Sequence, residues 1–176
     1  MRLTTVVCAL VLSAASPLSA QPRQLPEGIF QGYDGELQHA SSQLVALADV
    51  IPDEKFTWRP AEGVRSTSEV CMHIAIGNFF LLSLTGAPMP SDVKPGMDKS
   101  VTAKPEVIAW LKRSVDAVKD ARAKATPEEL QRKVDVFGRS TTVEAVFLRV
   151  IVHVNEHMGQ LIAYARMNGV TPPWSQ

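Results

Sequence analysis

Apolar side chains recur at spacings of three and four residues along most of this sequence, and this feature restricts the fold most. The pattern covers residues 27–51, 66–85, 105–124 and 141–168. It is the period of an α-helix with one buried face, whereas a half-buried strand alternates with a period of two. No segment shows convincing strand alternation. Four long amphipathic helices predict an all-α fold, a four-helix bundle.

The predicted helix ends carry residues that favour capping. Residues 66–69 (Ser-Thr-Ser-Glu) form a capping box, in which the first serine hydroxyl accepts from the glutamate N–H and the glutamate reaches back. Gly86 and Pro88 end this second helix, because neither residue continues a helix well. Pro105 suits a first helical position, and Gly169 follows the last helix.

The connections between these helices differ in length and composition. Residues 86–104 contain three prolines and form the longest connection, which we expect to cross the bundle between its second and third long helices. Residues 126–129 (Thr-Pro-Glu-Glu) are another capping box, which opens a short helix to about residue 132. We predict an irregular segment over residues 134–140, with a turn at Gly138, and a cap for the last helix at residues 141–144.

The N-terminus has the three-part layout of a secretory signal peptide. Arg2 supplies a positive charge, residues 6–12 are apolar, and small residues lead to Ala20. The apolar run is too short to span a bilayer. We therefore predict a signal peptide at residues 1–20 and a helical domain at residues 21–176. The mature chain is expected to be exported, periplasmic or extracellular, without stable membrane insertion after cleavage.

Charge and cysteine content exclude several kinds of protein. The chain has 18 Lys and Arg residues against 18 Asp and Glu residues, and no basic stripe stands out. Nucleic acid is therefore not an expected partner. Cleavage would remove Cys8 and leave Cys71 alone, so an internal disulfide cannot form in the mature chain.

The histidines provide the best candidates for chemistry. His153 and His157 stand four residues apart in the last helix, a spacing that places both imidazoles on one face, one turn apart. His73 lies on an apolar face of the second helix and is expected to point inward as well. Three histidines from two buried faces match the ligand count of an open metal site. His39 falls between the apolar positions of the first helix and is expected at the surface.

Other interpretations of the same residues stay open at this point. A histidine on an apolar face is often a hydrogen-bonded core residue, and the pattern alone leaves this interpretation about even with metal binding. The run from His153 to His157 also has the H-x-x-E-H spacing of inverted zinc proteases, with Glu156 as the base. Too few residues follow it to supply a distant third ligand. Gln160 shares the face of the histidine pair and could orient a ligand, but a solvated helix residue is the favoured interpretation. Cys71 is expected to be a small core residue.

Several motifs together resemble those of the DinB/YfiT-like superfamily. They are Phe-Thr-Trp-Arg-Pro at residues 56–60, the stretch 66–73, and the last-helix pattern His-x-x-x-His-x-Gly-Gln-Leu at residues 153–161. A Tyr-x-Arg-x-x-Gly pattern at residues 164–169 and a Pro-Pro pair at residues 172–173 complete the resemblance. It covers nearly all of the predicted mature chain.

The resemblance implies both a fold and a site. Members are four-helix bundles, usually with a down-up-up-down topology and a long connection between the second and third helices. It implies a three-histidine site made by His73, His153 and His157. Members have been associated with zinc, nickel, iron or manganese, and some are transferases or isomerases that use low-molecular-weight thiols.

These observations predict an exported protein that binds one divalent metal ion (zinc, nickel, iron or manganese) through His73, His153 and His157. The predicted activity is that of a metal-dependent transferase or hydrolase acting on a small-molecule substrate, with the metal as a Lewis acid. The alternative is a non-catalytic exported protein that binds a metal or a small molecule. A homodimer is compatible with the sequence.

Overall fold

The computed structural model describes residues 28–175, so the predicted signal peptide lies outside the described residues. The four predicted long helices are present: α1 (Gly32–Val50), α2 (Thr67–Ser83), α4 (Lys104–Lys124) and α6 (Val143–Met167). Between them lie two short helices, α3 (Met97–Ser100) and α5 (Pro127–Gln131), and the strands β1 (Lys133–Val136) and β2 (Arg139–Thr142). One-turn 3-10 helices occupy Asp53–Lys55 and Pro173–Ser175.

The four long helices pack into one bundle around a shared core. α2 packs against α4 and α6, while α1 packs against the same two helices. The all-α four-helix bundle is thereby confirmed. α2 is buried on nearly every side, as its apolar composition predicts; its buried residues include Val70, Cys71, Met72, Ile74, Ala75, Phe79 and Leu82. At about 25 cal/mol per Å², burial of such side chains is the main stabilising contribution.

The capping box that opens α2 is present in full. Glu69 N–H donates to Ser66 Oγ at 3.3 Å, and Ser66 N–H donates to Glu69 Oε2 at 2.8 Å. The box fixes the start of α2, which carries His73. The long connection to α4 is also present, and its α3 turn packs against α2.

The first helix begins later than predicted. Its predicted range started at residue 27, but α1 starts at Gly32. The backbone has positive φ at Gly28 (109°) and Phe30 (62°) before the helix and at its first residue, Gly32 (74°), so a right-handed helix cannot extend back through these positions. Ile29 and Phe30 are consequently exposed and not on the buried face.

Residues 134–140 are not irregular, and the prediction of a chain without strands was wrong here. β1 and β2 form an antiparallel hairpin in which Val136 pairs with Arg139. Phe137 (φ 54°) and Gly138 (φ 77°) form the two-residue turn, which requires positive φ at both positions. Because Thr141 is part of β2, the cap of α6 shifts by one residue, and Thr142 Oγ1 accepts from the Ala145 N–H.

A buried ion pair joins α1 to α4. Arg122 Nε donates to Asp34 Oδ1 at 2.9 Å, and both side chains are about nine-tenths buried. The guanidinium also lies 4.7 Å from the Tyr33 ring centroid. Removal of one partner would leave an uncompensated buried charge, so the pair fixes how these two helices are aligned. In residues 28–175, no helix is long and apolar enough to cross a membrane.

Candidate metal centre

Three histidines meet where α2 packs against α6. One ligand nitrogen of each of His73, His153 and His157 lies within 4.8 Å of the others. The Nε2 atoms of His73 and His153 are 3.2 Å apart. The structure thus brings together all three residues that the sequence selected, and His39 is not part of the group. His39 is half-buried on α1, which differs from the surface position predicted for it.

The three rings face one another nearly edge-on. Ring centroids are 5.0 Å apart for His73 and His153, 4.6 Å for His73 and His157, and 4.7 Å for His153 and His157. The interplanar angles lie between 64° and 85°. His153 is 9% exposed, whereas the other two are half-buried. The group is therefore closed by the bundle on one side and accessible on the other.

Gly77 makes room for this arrangement on α2. It lies one helical turn after His73, and a β-carbon built on it would come within 2.5 Å of His153 Cε1. No side chain larger than hydrogen fits there without displacing the imidazole. Helical periodicity and histidine spacing do not point to Gly77. The available signal was a glycine inside a strongly apolar helix, where glycine is unfavourable by about 1 kcal/mol relative to alanine.

A chain of hydrogen bonds fixes the orientation of His157. Tyr164 Oη donates to the Arg65 carbonyl at 3.1 Å, and Gln160 Nε2 donates to Tyr164 Oη at 2.7 Å. The Gln160 oxygen must then face His157 Nδ1, which lies 3.0 Å away. In the neutral imidazole of His157 the proton is therefore on Nδ1, and this tautomer leaves the Nε2 lone pair for a metal ion. Gln160 contacts the histidine directly and is not simply a solvated helix residue, which was the favoured interpretation of its sequence position.

Burial keeps two of the histidines neutral. It lowers the pKa of His73 to about 4, helped by the nearby positive charge of Arg65. It likewise lowers the pKa of His153 to about 4, with a further contribution from His157. At pH 7 both imidazoles are unprotonated, which is the form that binds metals.

The donor set fits a divalent metal ion. Bonds of about 2.0–2.1 Å in a tetrahedral site place ligand nitrogens about 3.3 Å apart, close to the 3.2 Å between His73 and His153 Nε2. The 4.8 Å limit for the whole group leaves a small ring adjustment to bring all three nitrogens to one ion. Three protein ligands also leave a coordination position for water or a substrate.

A cleft of about 660 Å³ adjoins the histidine group through Gln160, while no histidine among residues 28–175 lines it. Gln160 contributes to its wall and contacts His157 directly. Arg65 and Asp98, also in its wall, both act electrostatically on His73. The full lining is Arg59, Gly63, Val64, Arg65, Glu69, Asp98, Lys99 and Gln160. A charged cleft therefore lies next to the histidine group and is connected to it by Gln160.

Other sequence candidates lie outside the group. Glu156 is exposed and accepts from Arg149 at 2.6 Å and 3.1 Å, so it does not serve as a base beside the histidines. This placement removes the support for an inverted zinc protease. Cys71 is fully buried, and burial raises the pKa of its thiol to about 12, which disfavours a thiolate ligand.

The fold and the site define a class of four-helix-bundle proteins, in which two helices bring together three histidines that are able to hold a metal ion. The sequence profile of the DinB superfamily matches residues 36–161, and the chain belongs to this superfamily. The family expected from the motifs is thereby confirmed.

Two solved structures resemble the fold over most of its length. A DinB-like protein from Bacillus cereus ATCC 10987 is 26% identical, with a TM-score of 0.67, over 80% of this chain and 95% of its own. A DinB-like protein from Bacillus subtilis is 23% identical, with a TM-score of 0.60, over 80% of this chain and 96% of its own. The latter supports the fold alone. The comparison with curated proteins finds no match.

Proposed function

We propose that this protein binds one divalent metal ion through His73, His153 and His157. The observation that carries the proposal is the convergence of three ligand nitrogens, within 4.8 Å of one another, from two helices. Ordinary core histidines do not need the free Nε2 that the Gln160 chain leaves on His157. They also do not need the space that Gly77 provides for His153.

Which ion binds depends on the chemistry of the ligands and on the metals available in the compartment. Neutral imidazoles suit zinc, nickel and iron, and manganese remains in the set that the family resemblance implies. Because affinities for one site follow a general order among first-row metals, availability in the compartment decides occupancy as much as affinity does.

We further propose that the metal-loaded protein is an enzyme, a transferase or hydrolase for a small molecule. When bound, the ion would supply Lewis acidity at its open coordination position. The protein would contribute the orientation of His157 through Gln160, a fixed Arg65 backbone through Tyr164, and a cleft that admits the substrate. The open cleft is what favours catalysis over a closed site for stability or sensing.

Two measurements test this proposal together. Elemental analysis of protein purified from its native compartment should give one first-row metal ion per chain. The loaded protein and its His153→Ala variant are then compared on panels of model thiol-transfer acceptors and activated esters. Turnover that requires both metal and His153 supports the enzyme. One bound metal ion without turnover on either panel favours the non-catalytic alternative.

We propose in addition that the chain is exported after cleavage near Ala20. The support is the charged, apolar and small-residue layout of residues 1–20. Intact-mass measurement of the protein from the exported fraction should give a chain that begins near Gln21. Full-length chain in the cytoplasm would contradict it. Whether the protein forms a homodimer is a separate question, which light scattering coupled to size exclusion answers.

A further inference from the structure

The cleft beside the histidines carries charges that metal coordination does not use. Its wall holds three cations, Arg59, Arg65 and Lys99, and two carboxylates, Glu69 and Asp98. Arg59 already has partners within the protein, because its guanidinium donates to Glu69 at 2.8 Å and to the Val64 carbonyl at 2.7 Å. Its contacts hold the loop before α2 in place.

Arg65 and Lys99 are in a different position. Both are exposed in the cleft, and neither forms an ion pair with any residue between 28 and 175. Lys99 acts electrostatically on Glu69, but the wall as a whole holds three cations against two carboxylates. The cleft wall therefore keeps one uncompensated positive charge, and positive charge in a concave site attracts anions.

The backbone of Arg65 is tied to the metal ligands. Its carbonyl accepts from Tyr164 Oη, which in turn accepts from Gln160, the partner of His157. Lys99 lies on α3, which packs against α2. The backbones of the two cations are thus anchored to the same helices that carry the three histidines, so the fold limits how far their side chains can lie from a bound metal ion.

We propose that the cleft recognises a small-molecule substrate with one carboxylate, which Arg65 and Lys99 bind while the reacting group faces the three histidines. The inference rests on the proposed metal-dependent function and adds the substrate class to it. A monoanion is favoured because Asp98 repels further negative charge, and because guanidinium–carboxylate hydrogen bonds are directional as well as charge-assisted.

Three thiols that differ only in their distal group provide a direct test. 3-Mercaptopropionate carries a carboxylate, 2-mercaptoethanol a hydroxyl and 2-aminoethanethiol an ammonium group, while each can bind a metal through sulfur. Affinities are measured by calorimetry on protein loaded with one cobalt(II) ion, with metal content checked before and after. We expect 3-mercaptopropionate to bind about fivefold more tightly than 2-mercaptoethanol, because an exposed ion pair contributes at most about that factor to affinity. We expect 2-aminoethanethiol to bind most weakly.

Variants show which residues cause the preference for the carboxylate thiol. Arg65→Gln and Lys99→Gln should each reduce it, whereas Lys133→Gln, an exposed lysine on β1 away from the cleft, should preserve it. In the wild type the preference should shrink between low salt and about 0.5 M salt, a measurement that needs no variant. Equal affinities for the three thiols on metal-loaded protein would overturn the inference alone. Protein that takes up no cobalt would overturn the proposed function instead.

Discussion

The Nε2 atoms of His73 and His153 lie 3.2 Å apart although 80 residues separate the two histidines in the sequence. Both rings are neutral at pH 7, because burial lowers the pKa of each to about 4. Two lone pairs at this separation repel unless a proton or a metal ion lies between them. In the metal-free protein a neutral Nε2–H tautomer of one ring can donate to the other, and a metal ion can replace that shared proton, with His157 supplying the third nitrogen.

Replacement of any one histidine of the group by alanine should remove most of the metal affinity. Two imidazoles chelate less well than three, so the triple variant should lose little beyond what a single variant loses. For the wild type, a hundredfold excess of metal over Kd should stabilise the fold by about 3 kcal/mol. This corresponds to a rise of roughly 10 °C in Tm for a domain of this size. Melting curves with zinc and with chelator measure the effect.

His39→Ala is the matched control, because His39 lies on α1 and outside the group. It should retain the full metal-dependent rise in Tm. Ordinary core histidines would instead give independent stability losses in the single variants and no response to zinc in the wild type. That result would remove the basis of the proposed function.

Gln160→Leu should weaken metal binding without removing it. The substitution deprives His157 Nδ1 of its acceptor and frees the ring to adopt the other tautomer. Loss of a ligand-orienting partner costs about 10–100-fold in metal affinity. Gln160→Glu retains an acceptor oxygen and should bind metal at least as well as the wild type. Competition titrations against a chelator of known affinity compare the variants, and equal weakening in both would show that the tautomer is not the cause.

The metal-free protein should lose stability as the pH falls from about 6.5 toward 4. Histidines in the unfolded chain take up protons near pH 6.5, whereas His73 and His153 in the folded chain do so only near pH 4. Within this window the unfolded state binds more protons, so acid favours unfolding. Tm in the presence of chelator, measured across the window, gives the slope.

A His73→Gln, His153→Gln double variant separates this effect from the titration of carboxylates. Its Tm should fall less steeply than that of the wild type between pH 6.5 and pH 4, because neither glutamine titrates. Identical slopes in the two proteins would show that the pKa values of these histidines are not lowered by folding.

The sequence predicted the bundle because helical periodicity and caps are local properties, and the capping box at Ser66 is present as predicted. It predicted the histidine group because the spacing of His153 and His157 needs only helix geometry, with the apolar face of α2 adding His73. The hairpin was missed because its turn places Phe137, a residue rarely found at positive φ, before Gly138.

Features that depend on contacts between distant segments were also beyond the sequence. The Arg122–Asp34 pair joins residues 88 positions apart, and no local sequence pattern predicts it. The role of Gly77 depends on where α6 lies against α2. The Arg65 carbonyl is linked to His157 only through side chains of the last helix. Each of these required the packing of the helices to be known.

Gly77→Ala should reduce metal binding far more than it reduces stability. The new methyl group would lie 2.5 Å from His153 Cε1 and must displace that ring, while alanine favours the helix by about 1 kcal/mol and offsets part of the steric cost. We expect metal affinity to fall tenfold or more, on the order of the loss of a ligand-orienting partner.

Gly159→Ala is the matched control on α6: nothing lies within 4 Å of its added β-carbon, so it should bind metal normally and be slightly more stable. Chelator competition and urea unfolding of both variants, with and without zinc, give the comparison. Normal zinc affinity in Gly77→Ala would mean that the position of the His153 ring against α2 does not determine metal binding.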